Sequence, residues 1–421
     1  MPSADFQAAT CLCEPLLDSP GNRRSLSLRN PFPIVRFLSV LSLILALGHA
    51  AEIRSWTDVQ DRKIEATLVR VDGQTVILKL KDGRDVPYPL AKLCAADGKY
   101  VEANRMPPPV ADDGKALNFD APWPDLIKFS EDPEINTVEE DAGKKRFVYE
   151  SANYRYVCDV RLAKSVVKGF AVMFEATHLY CRTLPLAFDG GVRTDGKYQI
   201  LLFENAEDYT TAGGPTGTAG VFMGAKSAVL VPLTSLGVKP VGSSYMLDRD
   251  KSSKTIPHEL THQLSPEAYF AEGAMGWFSE GIAEYVATTP YRSGTFNVRG
   301  NQKDILQYVT GYGTKDQGGR ALGTKIQMPA LKTFMLQSYA SFQEKPQIGY
   351  GCGLLLTDYF LHMDSAGDGK RLKNFLKALR DGKEGEEALK VLLDGRTFEK
   401  LQEDFTKAWS RKGVDFTFGM P

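Results

Sequence analysis

The chain has 421 residues, 43% hydrophobic and 24% charged, an ordinary globular composition with material for more than one domain. Its formal net charge of −1 excludes a nucleic-acid binder working through a basic surface, because neutralising phosphates needs a clear cationic excess. Nor is the chain strongly acidic, so composition removes partners and names none.

The first segment, residues 1–51, differs in kind from the rest. Arg23, Arg24, Arg29 and Arg36 precede an apolar run from Phe37 to Leu47, and Gly48-His49-Ala50 comes next with small residues where a signal peptidase needs them. This reads as a leader cut near Ala50 or Ala51. The run is too short to span a bilayer, which takes about 20 apolar residues; an uncleaved anchor is the alternative. The expectation is an exported protein, periplasmic, cell-envelope or extracellular, with no stable transmembrane anchor after cleavage. Cys94, Cys158, Cys181 and Cys352 remain after the leader. They can pair in three ways, and sequence does not choose among them. None forms a C-x-x-C pair, which argues against a cysteine zinc site.

Residues 52–103 come next. Ile64–Val69 and Thr75–Leu80 are β-rich runs, punctuated by Asp72-Gly73 and Asp82-Gly83, a strong hairpin signal. Val86–Leu90 adds an extended piece that Pro87 and Pro89 confine to an edge. Short strands in some fifty residues predict a small β-barrel that closes to hide its edges. Arg54-Ser55-Trp56-Thr57-Asp58, Ile64-Glu65-Ala66, Val76-x-Leu78, Asp82-Gly83-Arg84, Pro89-Leu90-x-x-Leu93 and Asp97-x-x-Tyr100 resemble the Sla-type homology domain. That family is a small Src-homology-like barrel, often near the N-terminus of exported bacterial proteins. The resemblance implies a module that binds a protein partner.

A proline-rich linker is expected over 104–125, centred on Met106–Gly114, with Phe119–Phe129 as a lead-in that packs on the second domain. Residues 126–421 form that domain. Phe147–Ser151 and Tyr154–Cys158 alternate like a hairpin, and Leu162–Cys181 carries apolar residues at Val166, Val167, Phe170, Ala171 and Phe174, the face of a buried helix. Tyr198–Phe203, Gly220–Met223 and Ser227–Val231 read as strands. Lys370–Arg380, Glu384–Leu393 and Phe398–Ser410 read as helices, punctuated by Asp381-Gly382 and Asp394-Gly395. His178 and His362 read as structural histidines. The glycine-rich run Gly213–Gly220 lacks the Gly-Lys-Ser/Thr of a phosphate loop and reads as a loop leading into an edge strand.

The chemistry lies between these groups. Pro257-His258-Glu259-Leu260-Thr261-His262 contains H-E-x-x-H. On a helix, His258 and His262 lie one turn apart on one face, so both imidazoles reach one metal ion. Glu259 then leans over a metal-bound water as general base. Pro257 lacks an N–H donor and fits only a first turn, so a short helix is predicted from near Thr255 to Ser265. A catalytic zinc needs three protein ligands and one open position. Glu280, on the amphipathic helix Gly276–Ala287, is placed to be the third. Glu284, one turn on, either accepts the spare N–H of a ligand histidine or faces solvent.

His258-Glu259-Leu260-Thr261-His262 together with Trp277-Phe278-Ser279-Glu280-Gly281-Ile282-Ala283-Glu284-Tyr285 resembles the gluzincin peptidases, in particular the peptidase MA-like group. The resemblance implies an α+β zincin-like fold, with a mixed sheet whose edge strand lies above a two-helix site, and a helical C-terminal part. It implies His258, His262 and Glu280 as ligands of one catalytic Zn²⁺ and Glu259 as base. Gln347–Leu355 is similar to the helix that comes after the site in that group, where a tyrosine can point at the metal. This makes Tyr350 a candidate to stabilise an oxyanion; a core tyrosine is the alternative. The expected function is an exported zinc metallopeptidase acting on a peptide or protein. The alternatives are a non-catalytic envelope binding protein on a zincin scaffold and a purely structural zinc, which would need a fourth protein ligand.

Overall fold

A computed structural model describes residues 53–72, 75–81, 84–104, 117–130, 132–248, 254–312 and 318–419. The expected leader, the run Met106–Gly114 and the turn residues Gly73 and Asp82–Gly83 lie outside the described residues. The chain divides at Pro108/Pro109 into two compact units.

The first unit is a four-stranded antiparallel meander of β1 (Arg54–Thr57), β2 (Lys63–Asp72), β3 (Thr75–Leu80) and β4 (Asp85–Pro89), in that order. Its register pairs Trp56 with Ile64 and Ala66 with Leu80. Alternation buries Trp56, Ala66, Val76 and Leu78 on one face. The expected closed barrel is corrected here: among the described residues no strand closes β1 onto β4, and the sheet is open. Helix α1 (Ala95–Asn104) takes the place of closure. It supplies Val101, fully buried against this face, and Tyr100, which meets Trp56 edge-on at 5.7 Å. The helix was hard to foresee because Ala95-Ala96-Asp97-Gly98 has no apolar period.

The second unit is a mixed helix-and-strand fold, compatible with the α+β expectation. Its six-stranded sheet uses β5 (Asn136–Asp141), β6 (Arg146–Glu150), β7 (Tyr154–Cys158), β8 (Tyr198–Phe203), β9 (Val221–Met223) and β10 (Ala228–Pro232). The order is β9-β10-β8-β7-β6-β5. Strands β7, β8 and β10 run parallel to one another, and the three-residue β9 lies antiparallel at the edge. Helix α2 (Lys164–Thr183) buries Val166, Val167, Phe170, Ala171 and Phe174. Each of the larger side chains contributes roughly 1.5–3 kcal/mol of hydrophobic stabilisation. Residues from Leu117 onward already belong to this unit. Phe119 joins its core, and the Asn118 side chain donates to the Arg182 and Leu184 carbonyls and accepts from the Ala187 N–H.

Helix α3 (Thr255–Leu264) packs on α2 and crosses α4 (Trp277–Thr288). Helices α5 (Gln302–Thr310), α6 (Tyr339–Gln343) and α7 (Pro346–Asp358) come next, then α8 (Lys370–Arg380), α9 (Gly385–Leu393) and α10 (Phe398–Ser410). Helices α4 and α7 touch backbone to backbone. A Cβ on Gly281 would fall 2.4 Å from the Gly353 carbonyl oxygen and 2.4 Å from Thr357 Oγ1. Cys94, Cys158, Cys181 and Cys352 are free thiols. No described helix is long and apolar enough to cross a membrane.

Candidate metal centre

Helix α3 starts at Thr255, so Pro257 sits in its first turn, where a missing N–H costs no helical hydrogen bond. The His258 N–H reaches back to the Lys254 carbonyl at 3.2 Å. One turn separates His258 from His262, and their Nε2 atoms stand 3.0 Å apart. Helix α4 opens at Gly276, whose N–H donates to Ser279 Oγ. Its first turn carries Glu280, with Oε2 3.1 Å from His258 Nε2 and 3.3 Å from His262 Nε2.

The three donor atoms form a near-equilateral triangle, and they are the one group with metal-ligand character among the described residues. Ligands held ~2.1 Å from a tetrahedral ion lie ~3.4 Å apart, so the triangle fits one Zn²⁺-sized cation. Two imidazoles and a carboxylate are also the donor set of a catalytic zinc. Glu259 stands outside the triangle. Its Oε2 accepts the Phe222 N–H of edge strand β9 at 2.7 Å, while Oε1 is buried with no partner, as is His262 Nδ1.

Burial and ion pairing pull against each other here. Burial pushes the Glu259 carboxyl up to about 7, against the pull of His258 and His262. Burial also opposes charge on Glu280, yet His262 and His258 hold its carboxyl well below the usual carboxylate range. Burial opposes charge on His258 too, but Glu280 and Glu284 outweigh it and raise the imidazole to about 10. Glu280 and Glu284 thus keep their charge because the imidazoles and Arg320 lie against them.

Glu284 does not face solvent. Its Oε1 lies 3.1 Å from His258 Nδ1, an ion-pair contact bent away from a straight hydrogen bond. Arg320 grips the same carboxylate with two prongs, Nη2 to Oε1 at 2.7 Å and Nε to Oε2 at 3.2 Å. Against the cost of burial, Arg320 and His258 bring Glu284 down to about 2. On the other side, the Tyr339 hydroxyl donates to Glu280 Oε1 at 2.9 Å. Gln343 Nε2 then donates to both the Tyr339 and Tyr350 hydroxyl oxygens, at 2.6 and 2.9 Å. Tyr350, on α7, is buried with its ring 5.9 Å from that of His258 and its hydroxyl held by Gln343.

Sequence reasoning missed Arg320, Tyr339 and Gln343. They come from segments with no motif, 36 residues beyond Glu284 in the case of Arg320 and 59 beyond Glu280 in the case of Tyr339. His178 and His362 lie outside the triangle: His178 packs on Tyr154 and Tyr198, and His362 Nε2 meets the Tyr285 hydroxyl at 2.7 Å. The Gly213–Gly220 run precedes β9.

Residues 47–106 match the SLA1 homology domain 1 family, SHD1, a span that includes the four-stranded sheet and α1 of the first unit. No curated protein matches the chain.

Proposed function

We propose that the second unit is a zincin-like metallopeptidase domain, in an exported protein whose SHD1-like unit binds a protein partner. The carrying observation is the triangle of His258, His262 and Glu280, with donors 3.0 to 3.3 Å apart and Glu259 beside it. His258, His262 and Glu280 would hold the ion. When bound, Zn²⁺ supplies Lewis acidity toward the scissile carbonyl and acidifies water. Glu259 Oε1, the unpartnered oxygen, takes the proton from the attacking water and passes it to the leaving amine. Tyr350 is the candidate donor to the oxyanion. Glu284 and Tyr339 orient His258 and Glu280.

One observation favours the rival, a non-catalytic binding protein on the same scaffold. His258, Glu259, His262 and Glu280 are each at most 2% exposed, and β9 already occupies one oxygen of the base. Glu259→Gln separates the two readings. As a peptidase, the variant keeps its zinc and loses cleavage of a peptide library by about 100-fold or more. Wild type that holds zinc and cleaves nothing in the library supports the rival.

A further inference from the structure

We infer that Arg320 is a positioning residue for the metal centre, acting on His258 through Glu284. The inference rests on the proposed metal site and adds a residue that no motif marks.

Three observations carry it. The first is the hold on Arg320 itself. The N–H groups of Arg320, Ala321, Leu322 and Gly323 donate to the carbonyls of Tyr308, Gly311, Val309 and Thr310 at 2.8 to 3.1 Å. These carbonyls belong to the C-terminal end of α5, where a helix leaves them without internal partners. Four successive donors thus fix this segment on a rigid support. Close approach to α7 is also built in: a Cβ on Gly351 would fall 2.7 Å from Leu322 Cδ1.

The second is the guanidinium. It is buried, 4.6 Å from the ring centre of Tyr350 and 5.5 Å from that of Tyr308. Between aromatic faces it loses rotational freedom, and its planar fork matches a carboxylate at both oxygens. A buried guanidinium and a buried carboxylate each need the other, because either one alone would be an uncompensated charge.

The third is the division of Glu284 Oε1, which faces Arg320 Nη2 at 2.7 Å and His258 Nδ1 at 3.1 Å. A fixed carboxylate beside Nδ1 favours the ring proton there. The lone pair of Nε2 is then left to face His262 and Glu280. Arg320 holds this carboxylate in place beside Nδ1. An unclamped Glu284 would be free to turn and would leave both the tilt and the tautomer of His258 unset.

A double-mutant cycle on the full chain tests this with Arg320→Gln, Glu284→Gln and the pair. The readouts are competition for Zn²⁺ with a chromophoric chelator and the visible spectrum of the Co²⁺-loaded protein. Each single variant weakens Zn²⁺ binding about 10- to 100-fold and shifts the Co²⁺ bands. The pair loses no more than the worse single variant, because both changes remove one support. Fully additive losses, or Arg320→Gln binding as wild type does, overturn the inference. Arg320→Lys keeps the charge without the fork and stays informative if Arg320→Gln does not fold. An intermediate loss supports the inference, and behaviour identical to wild type overturns it. A wild-type chain that takes up no Zn²⁺ overturns the metal reading and the inference with it. A zinc-binding wild type with an indifferent Arg320 overturns the inference alone.

Discussion

Residues buried with their charge in this unit divide into those given a partner and those left without one. Glu280 and Glu284 are compensated by imidazole and guanidinium. Asp358, at the end of α7, is not: it is fully buried, its Oδ2 has no partner, and burial pushes its carboxyl up to about 7 against a weak pull from Lys412. In the unfolded chain the same group titrates near 3.8. Between those values the folded state binds the extra proton, so this group's contribution to stability falls as pH rises from about 4 to about 7. Asp358→Asn removes that slope. Urea unfolding of both proteins at pH 5 and pH 8 checks it: the variant gains on wild type by roughly 1–3 kcal/mol between the two pH values. A constant difference would refute the assignment.

At the scale of elements, helix α3 and its neighbour α4 were legible because their information is local. His258 and His262 sit four positions apart, Pro257 marks the first turn, and Ser265 ends α3. The C-terminal helices announced themselves through apolar period and Asp-Gly stops, and Asp394 and Gly382 indeed take left-handed backbone there. Long-range geometry was not legible. The resemblance implied an edge strand above the site, but no residue pattern says that the Phe222 N–H of β9 reaches Glu259, or that α1 covers the first sheet. The contact of α4 with α7 is of the same kind, since Gly281 and Gly353 gain meaning only when brought together. Gly→Ala in a helix usually adds about 1 kcal/mol. Gly281→Ala is predicted to do the reverse, because its Cβ meets the Gly353 carbonyl and Thr357 Oγ1. A loss of about 1–3 kcal/mol on thermal unfolding is expected, with weaker zinc retention as Glu280 is displaced. A stabilised variant would contradict the packing described.

Across the whole molecule, histidines are scarce, and that makes the central claim easy to test. The chain has five histidines. His49 falls in the expected leader, His178 is packed among tyrosines and His362 bonds Tyr285. Cys158, Cys181 and Cys352 are buried thiols that burial pushes up to about 12, poor ligands at neutral pH. Among the described residues, only His258 and His262 converge with a carboxylate in a group that could hold a metal ion, so His258→Ala probes that locus. The decisive measurement is elemental analysis of the purified protein after dialysis against a weak chelator, for wild type and His258→Ala. About one zinc per chain in wild type, and its loss in the variant, is the predicted result. A metal-free wild type, or a variant with undiminished zinc, contradicts the account.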